Sequence, residues 1–132
     1  MTRQPSRSRP LAFALWAALL LLGGGRAEAQ KSTEQFIPIG RSPGISQKYT
    51  LMGTVEAMDL RDHVLTVSEA GVRRTVRITP RTRIWVDRSK LKLPNLEGGP
   101  EDLQPGRKVE IKFENAVLRQ VADWVKVEAS QA

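Results

Sequence analysis

The 132-residue sequence contains no cysteine. That excludes disulfides, thiolate metal sites, a cysteine nucleophile and a lipidated N-terminal cysteine. It has one histidine, His63. Its charge-free apolar run, Leu11 to Leu22, covers 12 residues, whereas a membrane-spanning helix needs about 20. Past the N-terminal segment there is no Gly-rich phosphate loop, no paired-carboxylate motif and no triad pattern. No internal repeat is present, and almost nothing has the periodicity of a helix. No catalytic residue, metal ligand or cofactor is assigned, and the chain is not expected to be an enzyme.

The N-terminus has the layout of an export signal. Arg3, Arg7 and Arg9 give a positive start, the apolar run follows, and Ala27 and Ala29 stand at the small-residue positions of a cleavage site. Cleavage is expected after Ala29, which makes residues 1–29 a signal peptide and the product periplasmic or secreted, with no transmembrane segment left. The first residues carry no Arg-Arg pair, which favours the general secretory route. The whole chain holds 21 basic and 14 acidic residues. Removing Arg3, Arg7, Arg9, Arg26 and Glu28 leaves 17 and 13, a modest surplus of +4.

Residues 30–48 are polar, with Pro38 and Pro43 around a short apolar patch at Phe36-Ile37-Pro38-Ile39. Proline disfavours regular elements, so this stretch reads as a flexible linker whose apolar patch can fold back. Residues 49–129 read as the domain, and residues 130–132 as a tail.

Within the domain the texture becomes short and alternating. A long first strand covers Tyr49 to Leu60, with Leu51, Val55 and Ala57 on the inner face. Gly53 suggests a bulge or bend within it. Even spacing puts Met52 and Met58 on one face of that strand. Five more strands follow at His63–Ser68, Val72–Ile78, Arg83–Val86, Lys108–Glu114 and Gln120–Glu128. Glu69-Ala70-Gly71 is a tight hairpin connection with Gly71 at positive φ. Residues 87–106 are irregular, with one helical turn possible at Glu101-Asp102-Leu103. The fifth strand alternates most clearly: Val109, Ile111 and Phe113 form a dry face, while Lys108, Glu110, Lys112 and Glu114 form a wet one. The fold class is all-β: a five- or six-stranded OB-like barrel with a long irregular loop before the fifth strand. Closing the sheet removes exposed edges.

Four stretches carry a resemblance: Gly53-Thr54-Val55-Glu56-Ala57-Met58-Asp59-Leu60, Leu65-Thr66-Val67, Val76-Arg77-Ile78-Thr79-Pro80-Arg81-Thr82, and Asp102-Leu103-Gln104-Pro105-Gly106-Arg107-Lys108-Val109. Together, over about 49–128, they resemble the small barrels of periplasmic copper/silver-binding proteins from heavy-metal efflux systems, and exported bacterial domains of unknown function with the same layout. The resemblance implies a fold. It does not carry over the metal site: those proteins use a His on the second strand, and a Trp with two Met on and before the third. Here Ser68-Glu69 replaces the His, and the third strand reads Val72-Arg73-Arg74-Thr75-Val76. The stretch from Ile84 to Gly99 is an insertion relative to them.

The remaining signal is basic. Between Arg73 and Lys92 stand Arg73, Arg74, Arg77, Arg81, Arg83, Arg88, Lys90 and Lys92, with Asp87 the single acid. Arg73 and Arg77 share a strand face, as do Arg83 and Trp85. OB-folds hold anionic chains on such faces. The expected function is therefore a non-enzymatic binding module. Arg73, Arg77, Arg83, Trp85, Arg88, Lys90 and Lys92 would contact an acidic protein or an anionic envelope component. Alternatives are a soft-metal carrier for Cu(I) or Ag(I), for which Met52, Met58, His63 and the tryptophans would be the ligands to test, and a polyanion or nucleic-acid binder. The export signal argues against a nucleic acid as natural partner. Without a partner the same charges form a solvated face. His63 beside Asp62 reads as an exposed turn residue. Trp85 and Trp124 read either as partly exposed interface residues or as packing under the loop.

Overall fold

Among the described residues the alternation of the sequence is realised as seven strands in a single sheet. In this computed structural model residues 33–130 are described. The expected signal peptide, residues 1–29, lies outside them, as do residues 30–32 of the expected linker and the last two residues of the tail. The strands are β1 Thr50–Asp59, β2 Val64–Glu69, β3 Val72–Arg77, β4 Arg83–Asp87, β5 Leu96–Glu97, β6 Lys108–Phe113 and β7 Ala122–Glu128, all within the compact unit Glu34–Ala132. Short 3-10 turns occupy Ser89–Leu91 and Pro100–Asp102. The fold is all-β and barrel-like, as the pattern predicts. Six strands fall within two residues of their expected bounds. β5, two residues long, is the addition.

The strand order is β3-β2-β1-β6-β7-β4-β5. A parallel bridge between Arg77 and Val121 closes the ring, with the Arg77 amide donating to the Gln120 carbonyl over 2.8 Å. β1, β2, β3, β7 and β6 thus form a closed five-stranded circuit. β4 pairs in parallel with β7 and carries β5 as an outer edge. The barrel interior is filled by Leu51, Val55, Leu65, Val67, Val76, Ile78, Ile84, Leu103, Val109, Ile111, Phe113, Ala122, Val125 and Val127. Most are alternate positions of their strands, as a two-residue period requires; Ile78 and Leu103 lie outside the strands, and a register shift against β6 puts Ala122 out of step with Val125 and Val127.

Two details of β1 depart from the sequence reading. The irregularity lies between Val55 and Ala57, where the register against β2 shifts, rather than at Gly53. It reverses the facing of everything after it. Ala57 is therefore exposed instead of inward. Met52 lies opposite Glu110 on the outer face, whereas Met58 lies opposite Leu65 and packs against the interior cluster, so the two methionines do not share a face. Gly53 is required for another reason. A β-carbon there would come within 2.4 Å of the Ser68 carbonyl oxygen and 2.6 Å of a Val67 methyl. β2 crosses so close to β1 that no side chain fits. The β2–β3 connection is as expected, a two-residue turn at Ala70 and Gly71 with φ of 49° and 83°, the pair of positive values that a tight hairpin demands.

The segment before β1 also differs from a free linker. From Glu34 to Tyr49 it runs as a strap over the outer faces of β6, β7 and β4. The Ile39 amide donates to Asp87 Oδ2 over 2.9 Å, the Gly40 amide to Glu110 Oε1 over 3.0 Å, and Asn95 Nδ2 to the Gln35 carbonyl over 3.0 Å. The strap satisfies part of its backbone in turns of its own, such as the Ile37 amide to the Glu34 carbonyl and the Tyr49 amide to the Ile45 carbonyl; Asp87, Glu110 and Asn95 satisfy backbone groups that those turns leave over.

Candidate functional site

β3 and β4 lie end to end along one side of β7, because both run parallel to it: Arg77 stands opposite Val121 and Arg83 opposite Trp124. The basic residues picked out in the sequence are therefore strung along the barrel as a line. At about 3.3 Å per strand residue, Arg73 and Arg88 sit on the order of 40 Å apart along it. Arg73, Thr75 and Arg77 share the outer face of β3, and Arg83 continues it on β4.

Pairing differs along the line. Arg73 Nε meets Glu56 at 2.7 Å, Arg74 meets Glu69 at 3.4 Å, and Arg119 from the loop before β7 meets the same Glu69 at 3.2 Å. Arg81 contacts Glu114 at 3.2 Å, and Arg83 reaches Glu97 only at 3.9 Å. Lys90 pairs with Glu128 at 2.9 Å, and Arg88 Nε donates to the Pro94 carbonyl over 2.7 Å. Exposed pairs of this kind contribute little to stability. Arg77 is exposed and has no carboxylate within 4 Å among the described residues. It lines a cleft of about 440 Å³ with Val64, Thr75, Val76, Gln120 and Val121. A second cleft, of about 490 Å³, lies on the other side of Thr75 and Gln120 and takes in Arg73, Arg74 and Arg119 with Phe113 and Leu118. Neither Arg119, in the loop before β7, nor Gln120, read from the sequence as the first residue of the last strand, was singled out as a site residue, since the loop has no pattern.

Trp85 does not belong to this surface. It is 2% exposed and Trp124 5%. Their ring centroids are 5.8 Å apart, in the tilted geometry that aromatic pairs favour. Both point outward from the barrel, yet the strap side covers them. Beneath it Lys126 and Glu110, cross-strand neighbours on β7 and β6, are completely buried. Lys126 Nζ donates to Glu34 Oε1 at 2.6 Å and to Ser42 Oγ at 3.1 Å, and stands 4.6 Å above the Trp124 ring. Ser42 Oγ in turn donates to Glu34 Oε1. Glu110 accepts from the Gly40 amide, from Ser46 Oγ at 2.7 Å and from Thr50 Oγ1 at 3.0 Å. This network fastens the strap, and each buried polar group in it has a partner, as burial requires.

The remaining sequence candidates are dispersed. Met52 lies beneath Gly40 of the strap, with its methyl 3.5 Å from where a β-carbon on Gly40 would sit. Met58 is on the interior side. His63 is exposed, in the left-handed region at φ 57°, and borders a 240 Å³ cleft with Thr79, Thr82 and Ile84. Thr82 Oγ1 there is committed to the Ala122 carbonyl at 2.8 Å. No group of three His, Asp or Glu side chains able to hold a metal ion occurs among the described residues.

No protein-family model matches the chain, and no curated protein matches it. Among solved structures it is similar to silver-bound CusF, at 19% identity over 59% of this chain and 93% of that one, with a TM-score of 0.41. It is similar to a tryptophan-to-alanine variant of CusF with Cu(II) from Escherichia coli, at 20% identity over 63% and 91%, with a TM-score of 0.41. Apo-CusF from Escherichia coli gives 18% identity over 68% and 100%, with a TM-score of 0.40. These neighbours are copper/silver-binding proteins of the kind whose layout the sequence resembles.

Proposed function

We propose that the chain is an exported, non-enzymatic binding module that holds an anionic partner, an acidic protein or an envelope component, along the outer face of β3 and the start of β4. The observation that supports this is Arg77. It is an exposed guanidinium with no carboxylate partner among the described residues, set in a cleft between Arg73 and Arg83 on one continuous face. A guanidinium offers five donors in a fixed fork that matches carboxylate and phosphate oxygens. Folding uses the Arg77 backbone to close the barrel and leaves its side chain uncommitted. Arg73 and Arg83 can exchange their solvent-exposed carboxylates for a ligand at small cost, because such pairs are weak in water.

The test is charge reversal. Arg77→Glu combined with Arg83→Glu is expected to abolish recovery of the anionic partner from an envelope extract while leaving the thermal midpoint within about 2 °C of the parent, as surface substitutions do. Recovery that survives the double reversal removes this face from the assignment.

A further inference from the structure

Phe36 is 60% exposed, Leu91 41%, Leu93 48% and Leu96 45%. They come from two segments, the strap and the insertion between β4 and β6. Asn95 joins those segments: it is buried, its Nδ2 donates to the Gln35 carbonyl, its carbonyl accepts from Gln35 Nε2 at 3.5 Å, and its Oδ1 accepts from the Arg88 amide at 2.8 Å. Phe36 follows Gln35 and Leu96 follows Asn95, so the clasp sets the two apolar side chains on neighbouring backbone. The insertion tip is itself drawn tight, with the Leu91 and Leu93 amides both donating to the Arg88 carbonyl and Lys92 in the left-handed region at φ 59°. Within it lysine and leucine alternate as Lys90-Leu91-Lys92-Leu93. Lys92 has no carboxylate within 4 Å among the described residues.

The barrel does not need this tip. The circuit closes through β3 and β7, and β4 with β5 stands outside it. Folding therefore leaves unexplained why the insertion exposes Leu91, Leu93 and Leu96, and the strap clasped to it Phe36, with basic residues among them. Apolar side chains that reach the acyl boundary, with lysines rising to the headgroups, are the chemistry of an interfacial anchor. An acidic protein would need a complementary surface shaped to the projecting tip, whereas a bilayer conforms to it.

We propose that Phe36, Leu91, Leu93 and Leu96, with Arg88 and Lys92, form a docking surface for an anionic lipid membrane. The surface sits at the far end of the basic line from Arg73 and does not depend on the assignment made for Arg77. Apolar burial supplies the attachment, and each basic residue near the surface raises affinity for anionic lipid about fivefold.

The experiment uses the chain from Gln30 onward, so that the expected signal peptide does not itself enter lipid. It is sedimented with vesicles of phosphatidylcholine alone and of phosphatidylcholine mixed with phosphatidylglycerol. The expected result is partition onto the mixed vesicles, weakened at least tenfold by Leu91→Glu with Leu93→Glu. Lys92→Gln should weaken it about fivefold on mixed vesicles and leave the weak binding to phosphatidylcholine unchanged. Arg77→Glu should have a smaller effect than Lys92→Gln. Absence of binding to mixed vesicles overturns the proposal and leaves an acidic protein as the partner of this surface. Binding that survives the double Leu substitution overturns it as well. Unchanged thermal unfolding of each variant excludes misfolding as the cause.

Discussion

Lys126 and Glu34 are 92 residues apart in the chain and 2.6 Å apart in the fold. The lysine side chain is fully buried and the glutamate 19% exposed, so the pair sits at the rim of a covered face. Removing one partner of a buried pair is costly because the other is stranded out of water. Lys126→Met is expected to cost about 2–3 kcal/mol, at the low end because Glu34 can still reach solvent. Glu34→Gln should cost less, since the amide still offers an oxygen to the lysine. In a double-mutant cycle the coupling should be about 1 kcal/mol or more. Chemical denaturation of the four proteins measures it, and additive losses would mean that the two side chains do not interact.

Glu110 provides a local readout. Its carboxylate accepts from three donors, two of them on the strap. An amide in its place brings one N–H group against a donor. Glu110→Gln should therefore cost about 1–3 kcal/mol, and the cost should be concentrated in the strap. The expected outcome is faster hydrogen exchange at the Gly40 and Ile39 amides, with little change at Val67 or Val125 in the barrel. Uniform acceleration across the barrel would show that strap and sheet open together.

These groups also mark where sequence reading stopped. The strands were legible because buried and exposed residues alternate along them, and the two-residue turn at Ala70-Gly71 followed from its glycine. The cover was not. Glu110 looks like one more charge on a wet face, between Lys108 and Lys112, and becomes buried only because a distant proline-bearing segment lies on it. Trp85 and Trp124 held the available signal: large aromatic residues at polar-face positions of two strands call for something to lie over them. β5 left no trace, since two residues have no period. Of the residues proposed as a site, the six basic ones remain at or near the surface and Trp85 does not, but the arrangement of the basic residues as a line depends on β3 and β4 both running parallel to β7, which pairing alone decides.

The bulge between Val55 and Ala57 makes a prediction that the uninterrupted alternation would reverse. With the register shift, Ala57 is exposed and Met58 packs against the interior cluster. Ala57→Lys should alter stability by about 0.5 kcal/mol or less, as exposed substitutions do. Met58→Lys should cost about 2 kcal/mol, because it removes apolar burial and brings an ammonium group to the core margin. Thermal unfolding of the two variants decides between the facings. A larger loss at position 57 than at position 58 would place the bulge elsewhere.

Gly53 and Gly71 separate two reasons for which a chain needs glycine. At Gly71 the backbone is in the left-handed region at φ 83°, and a β-carbon would meet nothing within 4 Å. Gly71→Ala should cost about 1 kcal/mol, the ordinary penalty of a side chain at positive φ. Gly53 is under a different constraint: the obstacle to a side chain is the Ser68 carbonyl at 2.4 Å and a Val67 methyl at 2.6 Å. A side chain can turn aside, but the carbonyl belongs to the β1–β2 pairing and cannot yield without opening the ladder. Gly53→Ala should therefore cost about 3 kcal/mol, near the top of the range for overpacking. It should also weaken pairing near Thr54 and Ser68, visible as a selective gain in amide exchange there. Equal losses at the two positions would mean that the strands relax around the added methyl and that the close crossing does not constrain the barrel.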